Sequence, residues 1–305
     1  MTRRHWLAVW PGALLGQETV IRVDVRLVRI LATVKNLAGQ AVGTLDRSDF
    51  EVFDNGVRQE VAIFERYTEQ PLSVAVLIDT SASTGIELEY EITSVERFLK
   101  ALISEGNPQD AAALYSFNYQ VTLEQGFTRR LDRFERALKA LKSQGGTSLY
   151  DAIFLAAQAL EGRPGRHVMV VVTDGGDTTS AKDYHQALEA AQMADAVLYP
   201  ILVMPITNDP GRNIGGENAL TGLASGTGGR VFRPSAAAGL DSAFAEILRD
   251  LRTQYLLAYY PKDLPPAKDR FHRLEVRLRR PDLQVLARSG YYEESGVGRG
   301  WLPVR

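Results

Sequence analysis

The sequence has no cysteine among its 305 residues. That absence excludes disulfides, thiolate-ligated zinc, iron–sulfur clusters, thiol catalysis and a lipid anchor on cysteine. It leaves the compartment open, because exported proteins can lack cysteine too. Histidine is scarce: His5, His167, His185 and His272 are scattered with no i, i+4 pair, so a histidine-rich transition-metal site has little support. An excess of one charge is also lacking, with a formal net charge of −2. The basic run Arg277-Leu278-Arg279-Arg280-Pro281 reads as the wet face of a strand, and nothing else argues for nucleic acid. No apolar run reaches the about 20 residues that a membrane-spanning helix needs.

What is present is ordinary for a soluble globular protein, with 45% hydrophobic and 24% charged residues. The length has room for about two domains. At the N-terminus, Arg3-Arg4 precede an apolar run from Trp6 to Leu15, and small or polar residues follow. This tripartite pattern predicts a signal peptide over 1–17 and export to the periplasm or medium, with Thr2–Leu7 approaching a twin-arginine signal. Leu14-Leu15-Gly16 is a poor cleavage site, and a disordered or mis-assigned start is the alternative.

Periodicity divides the rest. Residues 18–69 read as β: Ile21–Leu27 alternates at period two, its phase flips at Leu27-Val28 as at a bulge, and Asn36–Gln40 is turn-like. Asn55-Gly56 between Phe50–Phe53 and Val57–Val61 predicts a hairpin, since a type I′ turn needs positive φ at both central residues. Over 70–252 apolar strands alternate with amphipathic helices. Strands are expected at Leu72–Ile78, Ala111–Phe117, Val121–Leu123, Val168–Thr173, Val197–Val203 and Arg230–Phe232. Helices are expected near 86–104, 130–142, 148–161, 183–195, 217–225 and 239–252. Strands apolar on both faces imply an α/β fold, a Rossmann-like doubly wound, mostly parallel sheet covered by helices. After 253 the β period returns in Tyr255–Tyr260, Leu274–Leu278 and Gln284–Ala287. These strands are expected to pack with residues 18–69 as an accessory β-sandwich-like domain.

Three stretches place oxygen donors at the carboxyl side of this sheet, where open parallel sheets form sites. Val74–Ile78 runs into Asp79-Thr80-Ser81-Ala82-Ser83; Gly145-Gly146 precede Thr147 at a helix start; and Val170–Thr173 ends in Asp174. Two carboxylates and three hydroxyls suit a hard cation: Mg²⁺, with Mn²⁺ or Ca²⁺ as alternatives. Neutral Ser81 and Ser83 leave the ion electrophilic toward an outside anionic oxygen, such as an Asp or Glu of a partner protein.

In order and spacing, Asp79, Ser81, Ser83, Thr147 and Asp174 resemble the metal-ion-dependent adhesion site of von Willebrand factor type A domains, over roughly 70–252. The resemblance implies that Ser81, Ser83 and Thr147 would bind the metal directly. Asp79 and Asp174 would act largely through waters or the hydroxyls, and a ligand carboxylate would take the open position. Asp49–Gly56, Gly145–Asp151 and the closing Arg288-Ser289-Gly290-Tyr291-Tyr292 resemble exported von Willebrand A-related proteins common in acidobacteria, a group that supplies no biochemical role.

Other candidates read more plainly. Asp177 is expected to cap a turn, Asp151 to favour a helix N-terminus, Asn208–Gly216 to form a surface loop and Gly226–Gly229 a turn. Tyr255, Tyr259, Tyr260, Tyr291 and Tyr292 read as sandwich core and edge. The leading function is a non-catalytic adhesion or assembly module that recognises a partner's acidic side chain. One rival is a structural cell-envelope subunit whose metal only orders loops. The other is a metal-dependent hydrolase, disfavoured because Ser81 stands where an aspartyl-phosphate enzyme has its second carboxylate and no nucleophile elbow is present.

Overall fold

The computed structural model describes residues 27–66, 69–82, 88–203, 213–234, 239–265 and 269–293. The predicted signal peptide and all but Leu27 of the predicted strand at 21–27 lie outside the described residues. The first strands are β1 (Val28–Asn36), β2 (Phe50–Asp54), β3 (Val57–Gln59) and β4 (Ile63–Arg66). β2 and β3 form the hairpin that Asn55-Gly56 predicts. Asp54 pairs with Val57, and the turn residues take φ of 45° and 81°.

The α/β unit follows: β5 (Leu72–Asp79), α1 (Leu88–Glu105), β6 (Ala111–Phe117), β7 (Val121–Thr128), α2 (Leu131–Ala140), α3 (Leu149–Leu160), β8 (Arg166–Thr173), α4 (Tyr184–Met193), β9 (Ala196–Leu202), α5 (Ile214–Thr227) and α6 (Gly239–Arg252). Its five-stranded sheet has the order β7-β6-β5-β8-β9, parallel except for β7. Every residue of β5 is buried, because helices cover both faces. Val74, Val76 and Ile78 enter one core with Val95, Phe98 and Leu99 of α1 and Phe244 of α6. Ala75 and Leu77 enter the other, with Ile153 and Ala156 of α3 and Ala187 of α4.

Two strands differ from expectation. β7 extends to Thr128, five residues beyond the predicted end, with register shifts against β6. It is a solvated antiparallel edge, so it needs few apolar residues and gave little pattern to read. Arg230–Phe232 is not a strand: Phe232 makes an isolated parallel bridge to Ile201. Gly228-Gly229 before it and Pro234 after it leave too short a stretch to propagate a ladder.

The chain then returns through β10 (Tyr255–Tyr259), β11 (Phe271–Leu278), β12 (Leu283–Leu286) and β13 (Gly290–Tyr292). Among the described residues these join the N-terminal strands in two four-stranded sheets, β12-β1-β10-β4 and β13-β11-β2-β3. Ile30, Val34, Val52, Leu257 and Leu274 share the core between them, where the Phe50 and Tyr255 rings lie 5.1 Å apart. The tyrosines serve this sandwich. Tyr259 and Tyr291 both donate to Oδ2 of buried Asp54, at 2.6 and 2.9 Å, and His272 Nδ1 lies 3.1 Å from Oδ1. This polar knot ties four strands, while Tyr260 is 45% exposed beyond the strand end.

Candidate metal centre

The site forms at the carboxyl ends of neighbouring strands β5 and β8. Asp79 closes β5 and is fully buried. Its Oδ1 accepts the Ser81 amide at 2.9 Å, an Asx-type turn that folds the chain back over the strand end. Its Oδ2 accepts the Thr173 hydroxyl at 2.7 Å, which pins β5 to β8 one residue before Asp174. The same Thr173 oxygen accepts the Gly175 amide at 3.1 Å, so one hydroxyl shapes the loop carrying Asp174.

The third stretch is stitched to the first two through backbone. Thr80 donates to Phe117 O at 2.8 Å, Gln144 to Thr80 O at 2.8 Å, and the Ser143 hydroxyl to Ser81 O at 2.8 Å. Gly146 takes φ +81°, and a Cβ there would lie 2.9 Å from Tyr119 Cβ, so this glycine permits the close approach. Thr147 is 7% exposed; its amide donates to Thr178 Oγ1 at 2.9 Å, and its carbonyl accepts the Thr178 amide at 2.8 Å. The loop after β8 therefore holds the loop before α3.

Asp79, Ser81 and Asp174 thus share one strand-end cluster, with Thr147 on a loop bonded to it. Ser83 lies outside the described residues. Burial raises the Asp79 pKa to about 6; the Thr173 and Ser81 hydrogen bonds offset part of the rise, and the Asp174 charge adds to it. The donors suit a hard cation chemically, being carboxylate and hydroxyl oxygens around a carboxylate that burial makes costly to ionise. Among the described residues no group of three or more His, Asp or Glu side chains gathers for a metal. A site here must therefore use hydroxyls.

Asp151 and Asp177 have structural duties. Asp177 Oδ1 accepts the Tyr150 amide at 3.2 Å in the first turn of α3, and the Ser180 hydroxyl at 2.5 Å. The Asp151 carboxylate accepts the amides of Ala181 and Lys182 at 2.9 and 2.8 Å. Sequence reasoning assigned no role to Thr173 or to Thr178 and Thr179. The hydroxyl run Thr178-Thr179-Ser180 beside a strand-terminal aspartate was the available signal.

Residues 74–176 match the family model described as von Willebrand factor type A domain. No curated protein matches the chain in sequence. Among solved structures, the vWF domain of the type V pili tip protein Mfa5 from Porphyromonas gingivalis is 16% identical. It has a TM-score of 0.46 and covers 58% of this chain and 94% of its own. An aerotolerance-related membrane protein from Bacteroides fragilis is 19% identical, with a TM-score of 0.45 over 59% of this chain and 98% of its own. The PilB minor pilin from Streptococcus sanguinis is 14% identical, with a TM-score of 0.48 over 61% of this chain and 62% of its own. With its mostly parallel sheet between two helical layers and the match over 74–176, the α/β unit has the von Willebrand factor type A fold, accompanied here by antiparallel sheets from both ends of the chain.

Proposed function

We propose that the chain is a non-catalytic protein-binding module, acting in adhesion or assembly. It would hold a divalent cation, Mg²⁺ before Mn²⁺ or Ca²⁺, through Asp79, Ser81, Ser83, Thr147 and Asp174, and recognise an Asp or Glu of a partner protein. The observation that carries this reading is the buried Asp79 carboxylate, bonded to Ser81 and Thr173 within reach of the Asp174 charge. Asp79 and Asp174 would supply the charge that retains the cation, and the hydroxyl residues its remaining oxygens. The cation would supply Lewis acidity toward a carboxylate oxygen from outside. The hydrogen bonds from the Gln144 amide to Thr80 O and from the Thr147 amide to Thr178 Oγ1 hold the loops in place before any ligand arrives, which lowers the ordering cost of binding.

Calorimetric titration of Mg²⁺ and Mn²⁺ into residues 18–305 tests the site, with Asp79→Ala and Thr147→Ala alongside. Saturable binding in the parent, lost in both variants, is the expected result; a folded parent that binds neither ion overturns it. A glutamate-containing peptide added to the loaded protein separates this reading from the loop-ordering one, because only an open coordination position makes peptide binding chelator-sensitive. The N-terminal pattern supports export, and mass spectrometry of the protein recovered outside the cytoplasm should find residues 1–17 removed.

A further inference from the structure

The strand order fixes what stands on either side of the candidate metal centre. Asp79 and Asp174 come from the neighbouring strands β5 and β8, so β6 lies outside β5 and β9 outside β8. Phe117 pairs with Asp79 and Leu202 with Thr173, which brings the four strand ends to one edge of the sheet. Beyond these ends stand two large apolar side chains left in solvent. Tyr119, 51% exposed, follows β6, and Ile214, 65% exposed, is the first residue of α5.

Both are braced against the loops that carry the site. The Tyr119 amide donates to Gly145 O at 3.1 Å, and its Cβ bears on Gly146, next to Thr147. Its turn is closed by the Gln120 amide, which donates to Asn118 Oδ1 at 3.0 Å. Asn118 Nδ2 ties the same turn to the first loop by donating to Thr80 Oγ1 at 3.1 Å. On the other flank, the Asn213 side chain caps α5, accepting the Gly216 amide at 2.9 Å. That side chain also covers Gly176, two residues past Asp174: a Cβ there would lie 2.5 Å from Asn213 Nδ2. Single exposed apolar residues are common on any protein surface. These two differ in having their backbone fixed by the loops of one site, on opposite sides of it, so little ordering cost remains for a contact they make.

On the basis of the cation-mediated recognition proposed above, we infer that Tyr119 and Ile214 set the specificity of the site. The partner they fit is an extended segment whose Asp or Glu has a large apolar residue two positions before it and another two positions after. The spacing follows from geometry. Neighbouring strands lie about 4.8 Å apart, so β6 and β9 each stand roughly 7 Å from a point midway between the ends of β5 and β8. In an extended chain, residues i−2, i and i+2 share one face and are also roughly 7 Å apart. A segment crossing the row of strand ends therefore brings its carboxylate to the cation and its two apolar side chains to Tyr119 and Ile214. A carboxylate alone does not tell one acidic partner from another, whereas two apolar contacts at a fixed spacing do.

Fluorescence anisotropy on the full chain in Mg²⁺, with three labelled peptides, tests the assignment. One has the core Leu-Thr-Glu-Thr-Leu, the second Ala-Thr-Glu-Thr-Ala, and the third Thr-Leu-Glu-Leu-Thr, which moves the leucines next to the glutamate. The first should bind at least about tenfold tighter than either of the others. In Tyr119→Ser or Ile214→Ser that preference should shrink to about threefold, because one flank remains, and in the double variant it should vanish. Each preference compares peptides on the same protein, so a general loss of folding or of metal does not imitate the effect. Chelator-sensitive binding that is equal for the three peptides, or a preference unchanged in both single variants, overturns the inference and leaves cation-mediated recognition standing. Binding that survives chelator, or no binding of any peptide, overturns both.

Discussion

Asp79 shows how one residue can set both the cost and the use of a site. Its folded pKa of about 6 stands above its ordinary value of 3.8, with burial as the leading cause. A raised carboxyl pKa favours the folded state while the group is protonated. That stabilisation is complete below about pH 4 and lost as pH rises through about 6, roughly 3 kcal/mol in all. The sign is opposite to that of a salt-bridged carboxylate, and it makes a test. In chelator, the stability of the parent relative to Asp79→Asn should fall by roughly 1.5 kcal/mol between pH 5 and pH 8. Urea unfolding of both proteins at the two pH values measures it, and a flat difference would refute the raised pKa. A cation binds the ionised form, so Mg²⁺ affinity should climb with pH through the same window.

At the scale of elements, the loop bearing Asp174 is held by the start of α5. A Cβ on Gly216 would come within 1.4 Å of Gly175 O, so either the loop or the helix would have to move. Gly216→Ala is expected to cost about 2 kcal/mol and to weaken Mg²⁺ binding by displacing Asp174. Gly215→Ala is the control. Its Cβ would meet Asn213 Oδ1 at an ordinary 3.5 Å, and alanine suits a helix better, so both stability and binding should hold. Thermal melts and calorimetry on the pair decide it; equal behaviour of the two variants would sink the argument. None of this contact was legible in the sequence, because Gly175 and Gly216 meet only through the fold. The elements themselves were legible wherever one rule governed them. Leu72–Asp79 announces burial on both faces by its unbroken apolar run, and α1 shows its inward stripe at Val95, Phe98, Leu99 and Leu102. The site was half legible. Aspartates at strand ends stood out, whereas Thr173 looked like one more β-branched residue and proved to anchor Asp79. The solvated edge of β7 and the three-residue β13 had too little pattern to read.

For the whole molecule, the question is what makes the α/β unit and the sandwich one body. The chain passes between them twice, from β4 into β5 and from α6 into β10, and an ion cluster around the buried Asp250 links the two units as well. Lys35 of β1 meets Asp250 of α6 at 2.7 Å, with both residues buried, and Arg230 reaches the other oxygen of Asp250 at 3.1 Å. Neutralising the shared carboxylate would leave Lys35 in a dry junction with its charge uncompensated, while Arg230 keeps Glu246 at 2.6 Å. Asp250→Asn is therefore expected to cost about 3–5 kcal/mol, the range for breaking one side of a buried pair. Lys35→Met should cost much less, because Asp250 retains Arg230 and the thioether fills the space of the lysine stem. The double variant should then recover a large part of the Asp250→Asn loss, since the orphaned ammonium is what makes that loss large. Denaturant titration of the three variants against the parent measures both effects. A double variant no better than Asp250→Asn alone would place the cohesion of the two units in their apolar contacts rather than in this shared carboxylate.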